Sequence, residues 1–489
     1  MPQIPEKIKI HRLPGTEIKC IQGKYYLQTV KSVWDPQKQK VRKVTTGYLG
    51  RVTEKGLIPK KCKKVPVNEI PYSKEFGATW TIMSLTSDIY KLLQKHFPDD
   101  ADWLYTTALL RCIKHNPMRY TEALYDASYI SEVIPNLKLS SSNLSNLMTS
   151  FGYRRREMVS FMKDCIPSED CFMIFDGTTM VCNSENIFEA QRGYNSHGLH
   201  DPQINILYAI SIKDNKLMPI FYKRYPGSIR DVTAFPNFRE EMGIKNVVAI
   251  CDKGFAKKSD QTNMEEAGID YLMPLKRNSG EYVKEPIYQP GTTGYTSRFT
   301  YNGRIIWCYE QPSTNEDNHR MIIYLDEALR HAELSNIRNN DNIGKETPEE
   351  IKKIAEHQLY AGTICLKTSL KDYDPELIYK TYKMRGEIEQ LFDTYKCEQD
   401  FNTTGMHSAE TQEACLFLNH LSVIMAYKVH ERLRDNKQDK NFAAVKMPEL
   451  LLWDVRVTNS GNKWQLEPIT KAARKAFNAL GLTPPEILD

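Results

Sequence analysis

Two aspartates and one helix face carry the residue types from which a divalent-cation site could be built. Asp176 follows the apolar run Cys171-Phe172-Met173-Ile174-Phe175, and Asp252 follows Asn246-Val247-Val248-Ala249-Ile250-Cys251. Each is followed within two residues by Gly. A carboxylate capping such a strand is held by a rigid element yet open to solvent, which is how a scaffold offers oxygen ligands to a hard divalent cation. Asp after a strand is also ordinary turn chemistry, and for either residue alone that plain reading stands ahead. The helix expected over residues 375–396 adds a third group. At ~100° per residue, Tyr382, Arg385, Glu389, Asp393 and Lys396 fall within roughly 80° of one another. Met384, Ile388, Leu391 and Tyr395 fall on the other side. A solvated structural helix is amphipathic too, and Glu389 has Arg385 four residues before it, so this pattern alone leaves function and structure level.

The surrounding elements read as one mixed α/β domain. Thr178–Cys182 continues the Asp176 run, and strands are expected at Ile204–Ile212, Lys216–Tyr222 and Tyr271–Leu275. Helices are expected at Thr233–Met242 and around Gln261–Ala267. Three strands, a helix and a further strand make a mixed sheet. Residues 276–354 break this texture. They give short β segments at Tyr295–Tyr301, Arg304–Glu310 and His319–Tyr324, a helix over Asp326–Asn339, and a polar loop over Asn339–Glu350. The α/β pattern resumes at Tyr360–Leu366, so the segment reads as a β-rich insertion. Thr79–His96, Ala101–His115, Tyr120–Ile134 and Ser141–Ile166 show helical periodicity before the core. Glu410–Arg434, Phe442–Leu452 and Thr470–Ala479 show it afterwards, giving a mostly helical C-terminal part. Arg154, Arg155 and Arg156 share one expected helix and point ~100° apart, so they form no single tight patch.

Composition bounds the possibilities. A chain of 489 residues is too long for one compact domain. With 41% hydrophobic and 26% charged residues it can bury sizeable cores, which excludes a largely disordered chain. No stretch approaches the ~18 apolar residues of a membrane span. The N-terminus lacks the apolar core of a secretory signal, so a cytosolic location is expected. Eleven cysteines without a C-x-x-C pair fit reduced thiols and argue against a disulfide framework or a cysteine-rich zinc site. His197 and His200 form an H-x-x-H with no further ligand nearby and read as loop residues. Net charge is +5, but residues 1–70 hold 16 Lys and Arg against 5 Asp and Glu. Short basic strands over 16–57 and the Lys- and Pro-rich stretch Pro59–Pro71 carry that charge. A basic head on a slightly acidic body suggests a polyanion partner, nucleic acid first, with a solvated lysine-rich module as the plain alternative.

Taken together, these residues resemble a known family. Tyr382, Arg385, Glu389 and Lys396 match without a gap the Y-R-E-K signature of the insertion-sequence-four group of bacterial DDE transposases. Ile174-Phe175-Asp176-Gly177-Thr178 resembles the family's first-Asp strand, and Cys251-Asp252-Lys253-Gly254-Phe255 its second. Tyr225-Pro226-Gly227-Ser228-Ile229-Arg230-Asp231 is similar to a Pro-Gly-Asn-x-x-Asp loop, with Ser228 in place of the common Asn. Tyr360-Ala361-Gly362 leading to Thr368 looks like the strand before the Glu helix. The resemblance covers about residues 170–420, with the N-terminal head a looser fit.

It implies a ribonuclease-H-like mixed-sheet core interrupted by a β-rich insertion, with an N-terminal basic β module and flanking helical segments. The expected boundaries are a DNA-binding arm over 1–70, a helical DNA-binding or dimerisation domain over 71–168, and catalytic core over 169–275 and 355–400. The insertion is expected over 276–354 and a helical region over 401–489. By resemblance, Asp176, Asp252 and Glu389 hold two Mg²⁺ ions, with Mn²⁺ able to substitute. Tyr382, Arg385 and Lys396 grip the DNA strand beside the cut. Asp393 is the competing third carboxylate, and Glu387 points away from that face. Trp307 shares a strand face with Tyr309 and could stack a flipped base, although a small core of the insertion's own is the more ordinary role. The implied partners are double-stranded DNA at terminal inverted repeats and at the target, and a second copy of the chain on paired ends. The implied setting is the bacterial cytoplasm, at the nucleoid. A non-catalytic DNA-binding protein derived from a transposase is the second reading. A carboxylate-pair glycosidase is the third, and it leaves the basic head unexplained.

Overall fold

The computed structural model describes the chain apart from residues 1–3, 36–38, 60–71, 115–116, 167–171, 194–200, 214–215, 230, 244–247, 252–257, 267, 313–318, 339–346, 399–404, 445, 461–462 and 489. Two compact units are present, Met1–Pro71 and Tyr72–Asp489.

The first unit contains α1 (Glu6–Lys9), β1 (Thr16–Ile21), β2 (Lys24–Asp35), β3 (Lys40–Thr53) and β4 (Gly56–Pro59). The strands pair antiparallel in chain order. A two-residue turn, Gln22-Gly23, joins β1 to β2 with both φ positive (49° and 73°), the twist a tight hairpin needs. Ile8, Ile18, Leu27 and Val52 form the small core. At Gly50 a Cβ would stand 2.2 Å from the Ile58 carbonyl oxygen, so only glycine lets β3 and β4 approach.

The second unit opens with β5 (Ser73–Glu75) and the helices α2 (Gly77–Leu85), α3 (Ser87–His96), α4 (Ala101–Ile113), α5 (Thr121–Ala127), α6 (Ile130–Val133), α7 (Ser141–Gly152) and α8 (Arg155–Asp164). Three helices expected as continuous are broken, Tyr120–Ile134 among them, where Ser128 turns extended between α5 and α6. Thr86 leaves the helical conformation while its hydroxyl donates to the Ile82 carbonyl (2.7 Å) and meets the Tyr105 hydroxyl (2.8 Å). Arg154 separates α7 from α8, and its guanidinium pairs with Asp100 at 2.6 Å.

The sheet-forming part follows: β6 (Phe172–Val181), β7 (Gln191–Arg192), β8 (Pro202–Lys213), β9 (Lys216–Pro226), α9 (Asp231–Met242), β10 (Val248–Ile250), α10 (Lys258–Glu266), β11 (Asp270–Pro274), β12 (Ser297–Tyr301), β13 (Arg304–Glu310), β14 (Arg320–Asp326), α11 (Glu327–Arg338), α12 (Pro348–Leu359) and β15 (Thr363–Thr368). The strand order is β12-β13-β14-β15-β11-β10-β6-β8-β7, with β9 on β8. β6, β10 and β11 run parallel, and the remaining pairings are antiparallel. The strands of the 276–354 segment extend this same sheet, because β14 pairs with β15 from Arg320↔Thr368 to Leu325↔Thr363. Helices cover both sheet faces. Phe175 and Phe221 pack on α9 through Phe235 and Phe238, whereas Tyr208 and Tyr222 face the opposite side.

The chain ends with α13 (Pro375–Glu398), α14 (Ala409–Asp435), α15 (Lys446–Asp454), β16 (Arg456–Ser460), β17 (Lys463–Leu466), α16 (Lys471–Leu480) and β18 (Ile487–Leu488). The C-terminal part is therefore less purely helical than expected. Its strands form a second small sheet, β18-β17-β16-β5, which recruits the first strand of the unit. Among the described residues, no helix is long and apolar enough to cross a membrane.

Glu75 sits at that junction with its carboxylate fully buried. It accepts from the Ala78 (2.7 Å) and Thr79 (3.3 Å) amides at the start of α2 and from the Thr79 hydroxyl (2.5 Å). Burial outweighs these bonds and lifts its pKa from 4.5 to about 7. The folded state thus binds a proton more readily than the unfolded chain. This group's contribution is present below about pH 4.5 and is lost as pH rises through about 7. In urea unfolding at pH 5 and pH 8, wild type should lose roughly 3 kcal/mol more than Glu75→Gln over that interval. Parallel pH profiles for the two proteins would remove the assignment.

Candidate functional site

β6 carries Asp176, and its surroundings differ from the strand end expected from sequence. β6 continues through Gly177 to Val181, because β8 pairs with it antiparallel from Phe172↔Ile212 to Val181↔Gln203. Asp176 is thus a mid-strand residue, opposite Tyr208, rather than a cap. Among the described residues, the other neighbour, β10, pairs with β6 over Phe172–Ile174. Asp252 lies outside the described residues, as do the side chains of Asp176, Glu389, Asp393 and Lys396. His197 and His200 are outside them as well.

Glu389 and its signature partners lie on α13, one unbroken helix of 24 residues. Its start is fixed by aromatic packing. The Tyr379 ring meets Tyr324 (4.9 Å), Phe299 (5.4 Å) and Tyr301 (5.5 Å), and the Tyr324 hydroxyl donates to the Pro375 carbonyl at 2.8 Å. Strands of the 276–354 segment therefore brace the helix that bears Glu389. A single apolar stripe was expected here, and the first half of the helix departs from it. Ile378, Tyr379, Thr381 and Met384 are all buried, although their directions spread around most of the helix circumference. Tyr382 and Arg385 are half-buried, with the Tyr382 ring packed against the main core. Lys383, which sequence reasoning passed over, has its ammonium 5.3 Å from the Tyr379 ring centroid, and burial lowers its pKa.

Trp307 and Tyr309 share a face of β13, and both pack against the satellite core of Leu275, Tyr282, Val283, Tyr295, Ile323, Leu325 and Cys365. The Arg298 guanidinium lies over the Trp307 ring at 5.2 Å.

The Tyr225–Asp231 loop is held from below. Asn205, nearly buried on β8, donates to the carbonyls of Gly227 (3.2 Å) and Ile229 (2.6 Å). The Gly227 amide donates to Glu189 (3.0 Å), and the Ser228 hydroxyl to Gln191 Oε1 (2.6 Å). A Cβ on Gly227 would stand 2.2 Å from the Gln203 carbonyl oxygen, so this turn admits no side chain. Asn205 has no local signal in the sequence, because the carbonyls it serves lie 22 and 24 residues away.

Behind β8 and β9 stands α14, opened by a capping box at Ser408 and Thr411. Its buried Glu413 accepts from Arg155 (2.9 Å), Arg224 (2.8 Å) and the Tyr222 hydroxyl (3.0 Å). Arg155 also reaches Glu241 at 3.1 Å. Two members of the Arg154–Arg156 run, Arg154 through Asp100 and Arg155 through Glu413 and Glu241, are therefore structural. Removing Glu413 would leave Arg155 with Glu241 and Arg224 with Glu189 (3.4 Å), each short of one buried carboxylate, so Glu413→Ala should cost on the order of 2–3 kcal/mol in thermal or urea unfolding. A loss below about 1 kcal/mol would mean water already solvates the cluster. His420, further along α14, lies between the Tyr208 (5.9 Å) and Tyr222 (5.2 Å) rings. Burial, with Arg155 nearby, depresses its pKa to about 3, so it stays neutral near pH 7 and carries no proton traffic.

Two aspartates and a glutamate are an all-oxygen, anionic donor set, which fits a hard divalent cation and no soft metal. Among the described side chains, no group of three or more His, Cys, Asp or Glu could hold a metal ion. Residues 167–425, from just before β6 into α14, match the family model described as a transposase DDE domain. The match covers more than half of the chain, which belongs to the DDE transposase family. No curated protein matches it closely enough to count as a relative.

Proposed function

We propose that the protein is a DNA transposase of the insertion-sequence-four group, cutting at the ends of its element and joining the freed 3′-OH to target DNA. The observation that carries this reading is α13. Tyr382, Arg385, Glu389 and Lys396 stand at the Y-R-E-K spacing on one continuous helix, inside the region that matches the transposase DDE domain. The sheet adds support. Ile174 and Ile250 are register partners on parallel neighbours, and Asp176 and Asp252 each follow two residues later in sequence.

Asp176, Asp252 and Glu389 would hold two Mg²⁺ ions, replaceable by Mn²⁺. When bound, such ions supply an activated attacking oxygen and a stabilised leaving oxygen. In the first step water attacks the phosphorus and the P–O3′ bond breaks, leaving a 3′-OH and a 5′-phosphate. In the second, that 3′-OH attacks a target phosphodiester and the target's own 3′ oxygen leaves. Each step exchanges one phosphoester oxygen for another, so no residue need form a covalent intermediate. The chain's own task is to hold the strand. Arg385 offers a planar fork, Lys396 a point charge and Tyr382 a hydroxyl on a ring already packed in place. Trp307 enters the proposal as a base contact made together with Arg298, whose guanidinium covers its ring. The partners are the terminal inverted repeats, the target duplex and a second copy of the chain, in the bacterial cytoplasm at the nucleoid.

The test is incubation of the full-length protein with duplex DNA carrying the sequences that flank its gene. Nicks at the repeat ends with Mg²⁺, and none with a chelator, are expected. Tight binding without cleavage under any divalent ion would leave a non-catalytic DNA-binding protein in its place.

A further inference from the structure

Among the described residues of the first unit, β1 pairs with Lys24–Thr29 of β2, and β4 with Gly50–Thr53 of β3. Beyond those limits β2 and β3 run on as a two-stranded ribbon, from Val30↔Thr45 to Asp35↔Lys40. Its outer residues, Lys31–Trp34 and Lys40–Lys43, are exposed on both faces, with Trp34 at 58% and Val41 at 60%. A lone hairpin is at best marginally stable in water, so a basic ribbon kept this long, with neither face covered by another described residue, suggests a surface that it lies against.

Strand register sorts its side chains. Lys31↔Val44, Val33↔Arg42 and Asp35↔Lys40 share one face, while Ser32↔Lys43 and Trp34↔Val41 share the other. The first face holds three cations against one carboxylate, Asp35, which pairs with Arg42 at 3.5 Å. The second holds one cation, Lys43, which lies 4.0 Å from Glu17. The partner that matches the first face is a polyanion, in keeping with the 16 Lys and Arg against 5 Asp and Glu in residues 1–70. Size narrows the choice further. Paired strands lie ~4.8 Å apart, and a two-stranded ribbon fits the ~12 Å major groove of undistorted B-DNA, whereas the ~6 Å minor groove must be widened to take one.

We propose that this ribbon enters the major groove of double-stranded DNA with the Lys31, Lys40 and Arg42 face inward. The proposal deepens the transposase reading and rests on it for the identity of the polyanion. Lys31 and Lys40 reach the phosphate walls, Arg42 presents its fork to guanine O6 and N7, and Val33 meets thymine methyl groups. Trp34 and Val41 stay on the outward face.

The test uses the full-length protein and random-sequence duplexes of about 30 bp, followed by fluorescence anisotropy across a salt series. The triple variant Lys31→Ala/Lys40→Ala/Arg42→Ala should bind about 100-fold more weakly near 0.1 M salt, with its log–log salt slope flatter by about 2–3 units. Its melting curve should match wild type, since all three side chains are exposed. Trp34→Ala should bind within about twofold of wild type. Methylation of guanine N7, on the major-groove side, should block wild-type binding. An unchanged triple variant of a protein that does bind duplex would overturn the ribbon assignment and leave the DNA reading standing. So would interference confined to minor-groove positions, tighter binding to single strands, or loss in Trp34→Ala alone. Absence of duplex binding by wild type would instead overturn the DNA reading itself, and the ribbon assignment with it.

Discussion

Asp176→Asn, Asp252→Asn and Glu389→Gln should each reduce strand cleavage on the order of 1,000-fold, about 4 kcal/mol of barrier. DNA-end binding should stay close to wild type. Each change replaces an anionic oxygen ligand by a neutral amide of nearly the same shape, so it removes charge from a metal site without deleting a phosphate contact. The architecture predicts little damage to the fold. Asp176 lies mid-strand between register pairs on both sides, and Glu389 lies in the interior of a 24-residue helix. The measurement is single-turnover cleavage with Mg²⁺ and then Mn²⁺, beside a binding titration on the same duplex. Asp393→Asn supplies the contrast, one turn further along α13. Normal cleavage in Glu389→Gln together with lost cleavage in Asp393→Asn would transfer the third role to Asp393.

The second large effect is expected from Arg385→Ala and Lys396→Ala. If these cations grip phosphates flanking the scissile bond, each substitution lets the strand shift, and misplacement on the order of 1 Å can cost ~100-fold. Arg385 is half-buried, so its removal also disturbs packing, and rates must be read beside melting curves. A structural role lowers stability and leaves the rate of the remaining folded protein intact. A strand-gripping role lowers the rate well below the melting range. Normal cleavage and joining in both variants would reduce the Y-R-E-K spacing to coincidence.

Local pattern made the site's carriers legible, and distance hid what supports them. The helix expected over 375–396 was readable from the spacing of its apolar and polar residues, and the structure carries it to Glu398. The strand around Asp176 was readable as an apolar run continued by Thr178–Cys182, but Asp176 was read as its cap rather than as part of the ladder. Asp176-Gly177 looks like a turn until the ladder to β8 carries it onward. The breaks at Thr86 and Arg154 depend on Tyr105 and Asp100, which no local window contains. Helix α12 went unforeseen beside the polar stretch that precedes it. Asn205 and Glu413 gave no signal, since the groups they serve lie up to 258 residues away. Strands β16 to β18 are short, and two of their pairings are with each other and one with β5.

That last pairing bears on how the protein is made. Ser73 and Arg456, bonded side by side, are 383 residues apart in the chain. At ~5–20 residues per second of synthesis, β5 waits roughly 20–80 s after leaving the ribosome before its partner strand exists. During that interval its edge is open and Glu75 has no sheet to lie in. Transcripts cut short before residue 456 would yield proteins with the Asp and Glu carriers present but the second unit unclosed at its first strand. Such products would expose an unpaired edge and be prone to aggregation and proteolysis. The small sheet thus ties the stability of β5 to strands made 383 residues after it.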